Sequence, residues 1–317
     1  MRVCSAGTAC ALAMALMLTT VSRSGAQIRY ATGQDVAPVF EGWERNADGT
    51  FNMVFGYMNR NYEELVDIPI GPNNKFEPGA ADQGQPAHFY PRRQEFVFKV
   101  RIPKEWGNQD LVWTLTSAGK TNIAYGTLAP VREIGNMVYQ ENRGGPGDLN
   151  YPPEPNEPPS IEMVGSAQRT VAVGEELALT VEVTDDGHPL PRARRLGAAV
   201  RSGAESGASE PPVLNSSQQE TPITQAVVKL DREVRLGVTW VVYRAGPGTV
   251  TFDPMRVPVV MVGPPGSVTA AEPLAGKATT KVTFSQPGTY VLRAYADDGV
   301  LTAPLNVTVI VRPGAKP

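Results

Sequence analysis

The stretch Lys281–Val311, KVTFSQPGTYVLRAYADDGVLTAPLNVTVIV, reads as three consecutive β-strands and decides the fold of the second half of the chain. Val282 and Phe284 alternate with Lys281 and Thr283, and Pro287-Gly288 then turns the chain. Tyr290, Leu292, Ala294 and Ala296 alternate with Val291, Arg293 and Tyr295 up to a second turn at Asp297-Asp298-Gly299. Leu305, Val307, Val309 and Val311 alternate with Asn306, Thr308 and Ile310. A period of two, bounded by Gly, Pro and Asp, is the signature of half-buried antiparallel strands. Each strand sends one face to a core, so a second sheet is expected to cover it.

The same pattern recurs upstream. Leu177, Leu179, Val181 and Val183 form a strand that ends at Asp185-Asp186-Gly187. Val238, Trp240 and Val242 mark the inward face of a strand over Arg235–Tyr243, and Thr249–Asp253 is a further short one. Between them, residues 189–226 are rich in Ala, Gly, Ser, Pro and Gln and read as a disordered surface insertion. Four motifs together carry a resemblance: NEPPSI at Asn156–Ile161, VGEELALTVEVTDDG at Val173–Gly187, Trp240, and PGTYVLRAYADDG at Pro287–Gly299. With them the second half resembles the immunoglobulin-like modules of the PKD and cadherin-like type found in bacterial surface proteins. The resemblance implies that Trp240 is the core tryptophan of strand C and that Tyr290 is a corner tyrosine on strand F. It also puts Leu292 where antibody domains carry a cysteine.

Residues 142–160, NRGGPGDLNYPPEPNEPPS, read as a stiff, Pro-rich linker. Residues 27–141 then form a first domain, and 161–317 the immunoglobulin-like one. In the first, Asn46-Ala47-Asp48-Gly49 is a hairpin turn before a strand with Phe51, Met53, Phe55 and Tyr57 on one face. Gln94–Ile102 and Leu111–Thr116 are two more strands, and Leu65–Ile70 a short irregular one. Gly71–Pro91 is a long loop, either functional or packed down by its own side chains, with Phe76 and Phe89 available to pack it. No helix of convincing length is expected. The fold class is therefore all-β: two β-sandwich domains joined by a Pro-rich linker. The segments FGYMNRNYEE, IPIGPNNKFEP and GQPAHFYP look like a module of uncharacterised secreted bacterial proteins, a resemblance that carries no activity.

Residues 1–26 read as a cleavable signal peptide: Arg2, an apolar run Ala11–Val21, and small residues Ser24-Gly25-Ala26 before Gln27. Both cysteines, Cys4 and Cys10, lie inside it, so the exported chain is expected to have no thiol, disulfide or cysteine metal site. The chain is expected to be secreted or periplasmic, with no transmembrane segment after the signal. Its 317 residues, 41% of them hydrophobic, suffice for two domains with real cores. The formal charge of −3 argues against nucleic acid as a partner.

The sharpest site candidate is the repeated Asp-Asp-Gly. The resemblance implies that both turns lie at one end of the sandwich, where the linker also arrives. Asp185, Asp186, Asp297 and Asp298, with Glu157, are thus candidate calcium ligands, because Ca²⁺ prefers clustered carboxylates and carbonyls. Two alternatives stand beside this. Asp-Asp-Gly makes good turns without any ion, and Arg192, Arg194 and Arg195 are available as counter-charge. Trp43, Tyr57, Tyr62, Tyr90, Trp106 and Trp113 give the first domain the rings a carbohydrate-binding module would use. Tyr57 and Trp113 follow the inward register, leaving Tyr62, Tyr90 and Trp106 as the exposed candidates. His88 and His188, the only histidines, lie in different domains without metal-ligand spacing and read as loop or surface residues. No nucleophile elbow, zinc-protease helix or P-loop is present, and no pair of acids is singled out for glycoside chemistry. No enzyme activity is expected. The expected role is structural or partner-binding at the cell surface, toward a protein or a glycan of the envelope.

Overall fold

The computed structural model describes residues 30–142, 156–188, 234–261 and 272–314. The segment read as a signal peptide, most of that read as a linker, and residues 189–226, with Arg192, Arg194 and Arg195, lie outside those residues. Among the described residues no helix is long and apolar enough to cross a membrane.

The first half runs β1 (Val36–Arg45), β2 (Phe51–Asn59), β3 (Val66–Asp67), β4 (Asn74–Glu77), β5 (His88–Phe89), β6 (Arg92–Ile102), β7 (Leu111–Ser117) and β8 (Lys120–Gly126). A short helix α1 (Asn136–Asn142) follows. One sheet has the order β1-β2-β6 and a second β4-β7-β8, with β3 and β5 paired beside them. The β1–β2 hairpin closes as its sequence predicts: Gly49, at φ 85°, donates its N–H to Asn46 O at 3.0 Å. Between the sheets Phe55, Phe76, Phe98 and Trp113 pack ring against ring, with centroids 5.1–6.0 Å apart. Burying such a ring contributes roughly 2–3 kcal/mol, with a further increment from the pair geometry.

Asn74 explains how the long loop is held. Its buried Nδ2 donates to Ile68 O at 2.9 Å and Pro86 O at 2.8 Å, while its Oδ1 accepts from Trp113 Nε1 at 3.0 Å. One carboxamide therefore ties both ends of the 68–87 segment to the core tryptophan. Phe76 and Phe89 are buried in that core, as the sequence predicts.

The second half runs β9 (Ser160–Met163), β10 (Gln168–Ala172), β11 (Leu177–Asp185), β12 (Val234–Arg244), β13 (Val250–Asp253), β14 (Arg256–Met261), β15 (Leu274–Phe284), β16 (Gly288–Asp297) and β17 (Thr302–Arg312). A five-stranded sheet, β10-β17-β16-β12-β14, faces a four-stranded one, β13-β15-β11-β9. This is an immunoglobulin-type sandwich. Trp240, Tyr290, Leu292, Leu179 and Phe284 fill its core. Tyr290 is a true corner tyrosine: its hydroxyl donates to Gln286 O at 2.9 Å and accepts from Gly248 N at 3.1 Å.

Six strands, β4, β5, β8, β9, β10 and β14, were not expected, β4 and β5 lying within the stretch 71–91 read as a loop, and β15 begins at Leu274 rather than Lys281. All six lie at the edge of their sheets. There, one-sided pairing relaxes the alternation, and a proline such as Pro258 is tolerated.

Candidate functional site

The pole where the second sandwich meets the first half gathers three of the four aspartates. Asp185 ends β11, and its Oδ2 accepts the Gly187 N–H at 2.9 Å. Asp186 accepts from His188 N at 2.9 Å and from Glu157 N at 3.1 Å, which ties the arriving chain to this turn. Asp298 caps the turn after β16: its Oδ1 takes the N–H groups of Val300 and Leu301, both at 2.6 Å. Burial pushes the Asp298 carboxyl up to about 7, and the neighbouring Asp185 charge adds to it. Burial likewise pushes Asp185 up to about 6, with Asp186 contributing.

Asp297 does not join them. Its carboxylate forms a two-pronged pair with Arg256, at 2.8 and 3.0 Å, and Arg256 also donates to Thr239 Oγ1 at 2.8 Å. Arg256 is thus a counter-charge that the sequence reading did not single out. Glu157 contributes its backbone N–H to the pole. Among the described residues no group of three or more His, Cys, Asp or Glu side chains is placed to hold a metal ion. As a set of four, the aspartates do not converge.

The inward register of Tyr57 and Trp113 holds, but the three rings expected to be exposed, Tyr62, Tyr90 and Trp106, are half-buried. Trp43, Tyr57 and Trp113 are buried in the first core. Tyr62 is half-buried, with the Arg92 guanidinium 4.0 Å over its ring. Trp106 is also half-buried and donates Nε1 to Gln109 O at 2.7 Å. The Tyr90 hydroxyl accepts the Val242 N–H at 2.9 Å, so this ring joins the two halves. Among the described residues the exposed aromatic side chains are instead Tyr30 and Tyr125. His88 is buried in β5 rather than in a loop: Nδ1 lies 2.7 Å from Asp67 Oδ1, and the ring stands edge-on to Tyr90.

Tyr90 belongs to a junction that sequence reasoning missed. β14 pairs with β12 only as far as Thr239, which leaves the rest of that β12 edge open. The loop of the first half covers it. Ala87 N donates to Tyr243 O at 3.0 Å, Tyr243 Oη donates to Gly84 O at 2.6 Å, and Arg244 donates to Gln85 O at 3.1 Å. Arg244 also pairs with Asp82 at 2.7 and 2.8 Å. In return, β16 reaches the bulged edge of β6: Arg293 Nη1 and Tyr295 Oη both donate to Val97 O, at 2.9 and 3.2 Å. A small apolar cluster of Tyr139, Val300 and Leu301, with Phe96 and Ile134 against it, closes the junction beside the aspartate pole. Most of these contacts satisfy backbone groups at sheet edges, which is why no local hydrophobic pattern announced them.

No protein-family model matches the chain, and no curated protein matches it in sequence. Among solved structures, domains 4 and 5 of the S-layer protein SbsC align over 88% of this chain and 98% of theirs, at 12% identity and a TM-score of 0.23. The D00-D0 domain of intimin aligns over 87% of this chain and 100% of its own, at 10% identity and a TM-score of 0.20. At those scores neither likeness carries a fold or an activity over to this chain.

Proposed function

We propose that the protein is a non-catalytic, exported β-sandwich protein with a structural or partner-binding role at the cell surface. The observation that carries this reading is the junction. The aromatic, acidic and basic side chains that a reaction or a sugar platform would need are engaged in holding two sandwiches together. Tyr57, Tyr90, Tyr243, Arg244, Arg293 and Asp82 all serve that contact or the core behind it. Fractionation of cells with external protease tests it. The chain is expected in the envelope or outside, beginning at Gln27 by N-terminal sequencing. Recovery in the cytoplasm with Met1 intact overturns the reading.

The carbohydrate-binding alternative now rests on Tyr125, which is exposed on the outward face of β8 beside Ile123. A glycan array of the chain and of Tyr125→Ala separates the two readings, because only a sugar platform loses a signal on that substitution.

A further inference from the structure

Among the described residues every strand pair but one is antiparallel. The exception joins β10, near the start of the second half, to β17, its last strand. Gln168 to Ala172 run beside Thr308 to Arg312 in the same direction over five register pairs. Two further bonds extend this contact, from Thr308 N to Ala167 O at 2.9 Å and from Val173 N to Arg312 O at 3.0 Å. On its other side β17 is fastened to β16 along ten pairs, from Gly288–Val311 to Asp297–Thr302.

The first half repeats the arrangement with other residues. Its first strand, β1, meets the outgoing segment 129–134 through a parallel bridge between Trp43 and Glu133. Ile134 N donates to Trp43 O at 2.9 Å, Trp43 Nε1 donates to Ala129 O at 2.9 Å, and Arg45 lies 3.7 Å from Glu133. The approach is close enough that a Cβ on Gly42, at φ 147°, would stand 2.6 Å from Arg132 O. Only glycine lets the outgoing segment lie against the strand there.

Parallel pairing of incoming and outgoing segments has a mechanical consequence. Tension along the chain pulls the first strand backwards and the last one forwards. Parallel neighbours then slide past each other, and the evenly spaced bonds between them take the load together. An antiparallel hairpin pulled from its open ends gives up its bonds one at a time. We propose that both halves are built to carry tension along the chain, each by clamping an early strand parallel to its outgoing segment: β1 in the first half, and in the second half β10, which follows the short edge strand β9. The second half carries the stronger clamp. A tethering role at a cell surface rests on the functional reading above, whereas the shear geometry does not.

Single-molecule force spectroscopy tests this, because forced unfolding reads the unfolding rate along the chosen direction. The chain is pulled once through handles at its two ends. It is pulled again through cysteines placed at Gln286 and Arg312, which open the β16–β17 hairpin from its free end; no other cysteine follows the first 26 residues. The end-to-end force for the second half is expected to be at least twice the hairpin force. Val173→Pro, which removes one clamp N–H, is expected to lower the end-to-end force and leave the hairpin force nearly unchanged. Equal forces in the two directions overturn the proposal, and they do so in the parent chain even if the proline variant fails to fold. Neither result bears on where in the cell the protein is found, so this proposal and the functional reading fail separately.

Discussion

The Arg293 guanidinium lies 3.4 Å over the centre of the Tyr243 ring, and through Nη1 it donates to Val97 O, 196 residues earlier in the chain. A buried cation is tolerable there because a ring face, a carbonyl and the Asn306 carboxamide, at 2.7 Å from Nε, replace its water. Arg293→Ala removes the junction's central contact and leaves Val97 O to the Tyr295 hydroxyl alone. The expected loss is about 3 kcal/mol in denaturant unfolding. Each half retains its own core, so the single transition is expected to split in two. Arg293→Lys is not expected to restore it, since an ammonium cannot stack flat on the ring.

The Arg244–Asp82 pair sits at the rim of the same junction, with the carboxylate half-exposed. Asp82→Ala is therefore expected to cost about 0.5 kcal/mol, and high salt to erase even that. Thermal unfolding in low and high salt checks the contrast with Arg293.

Asp297→Asn leaves Arg256 facing an amide in a site where the carboxylate was fully buried. Breaking a buried pair from one side is expected to cost about 3 kcal/mol. Replacing both partners by apolar residues of similar size is expected to recover most of it. A double-mutant cycle in chemical denaturation measures the coupling.

Stability is expected to fall as pH rises from about 4 to about 7. Asp185 and Asp298 hold their protons more tightly folded, with values near 6 and 7, than unfolded, so folding favours the protonated forms. That contribution is complete below pH 4 and lost above 7, on the order of 3 kcal/mol for a coupled pair. Asp35 works in the opposite sense. Burial pushes its carboxyl up, but hydrogen bonds from Asn122, Arg60 and Lys120 outweigh it and bring it to about 2. Its contribution is present above pH 4 and lost as pH falls through 2. Denaturation midpoints at pH 2, 4, 5.5 and 8 should pass through a maximum near 4 to 5. A flat profile from 4 to 8 would place the two carboxylates in water. Millimolar calcium that removed the fall, with EDTA restoring it, would put a cation at the pole in place of the proton.

How much of this was legible beforehand depended on distance along the chain. The alternation of Leu177–Val183 and Tyr290–Ala296 gave their strands and inward faces correctly, because side-chain period is a local property of the backbone. The Asp48-Gly49 turn was readable for the same reason. Asn74 was not: nothing in NNKF says which asparagine will be buried against Trp113. Arg256 was equally silent, since its partner Asp297 lies 41 residues away.

The sequence by itself determined an all-β chain and two cores with their inward faces, since each follows from short-range patterning and turn chemistry, while the corner tyrosine at Tyr290 was implied by the resemblance to immunoglobulin-like modules. Only the tertiary structure decided that Asp297 would face Arg256, that Tyr90 would join the halves, and that β10 would run parallel to β17. Those outcomes depend on which sheet edges and buried charges remain unsatisfied after the strands have paired. Such a demand is met by groups brought close in space, from any distance along the chain.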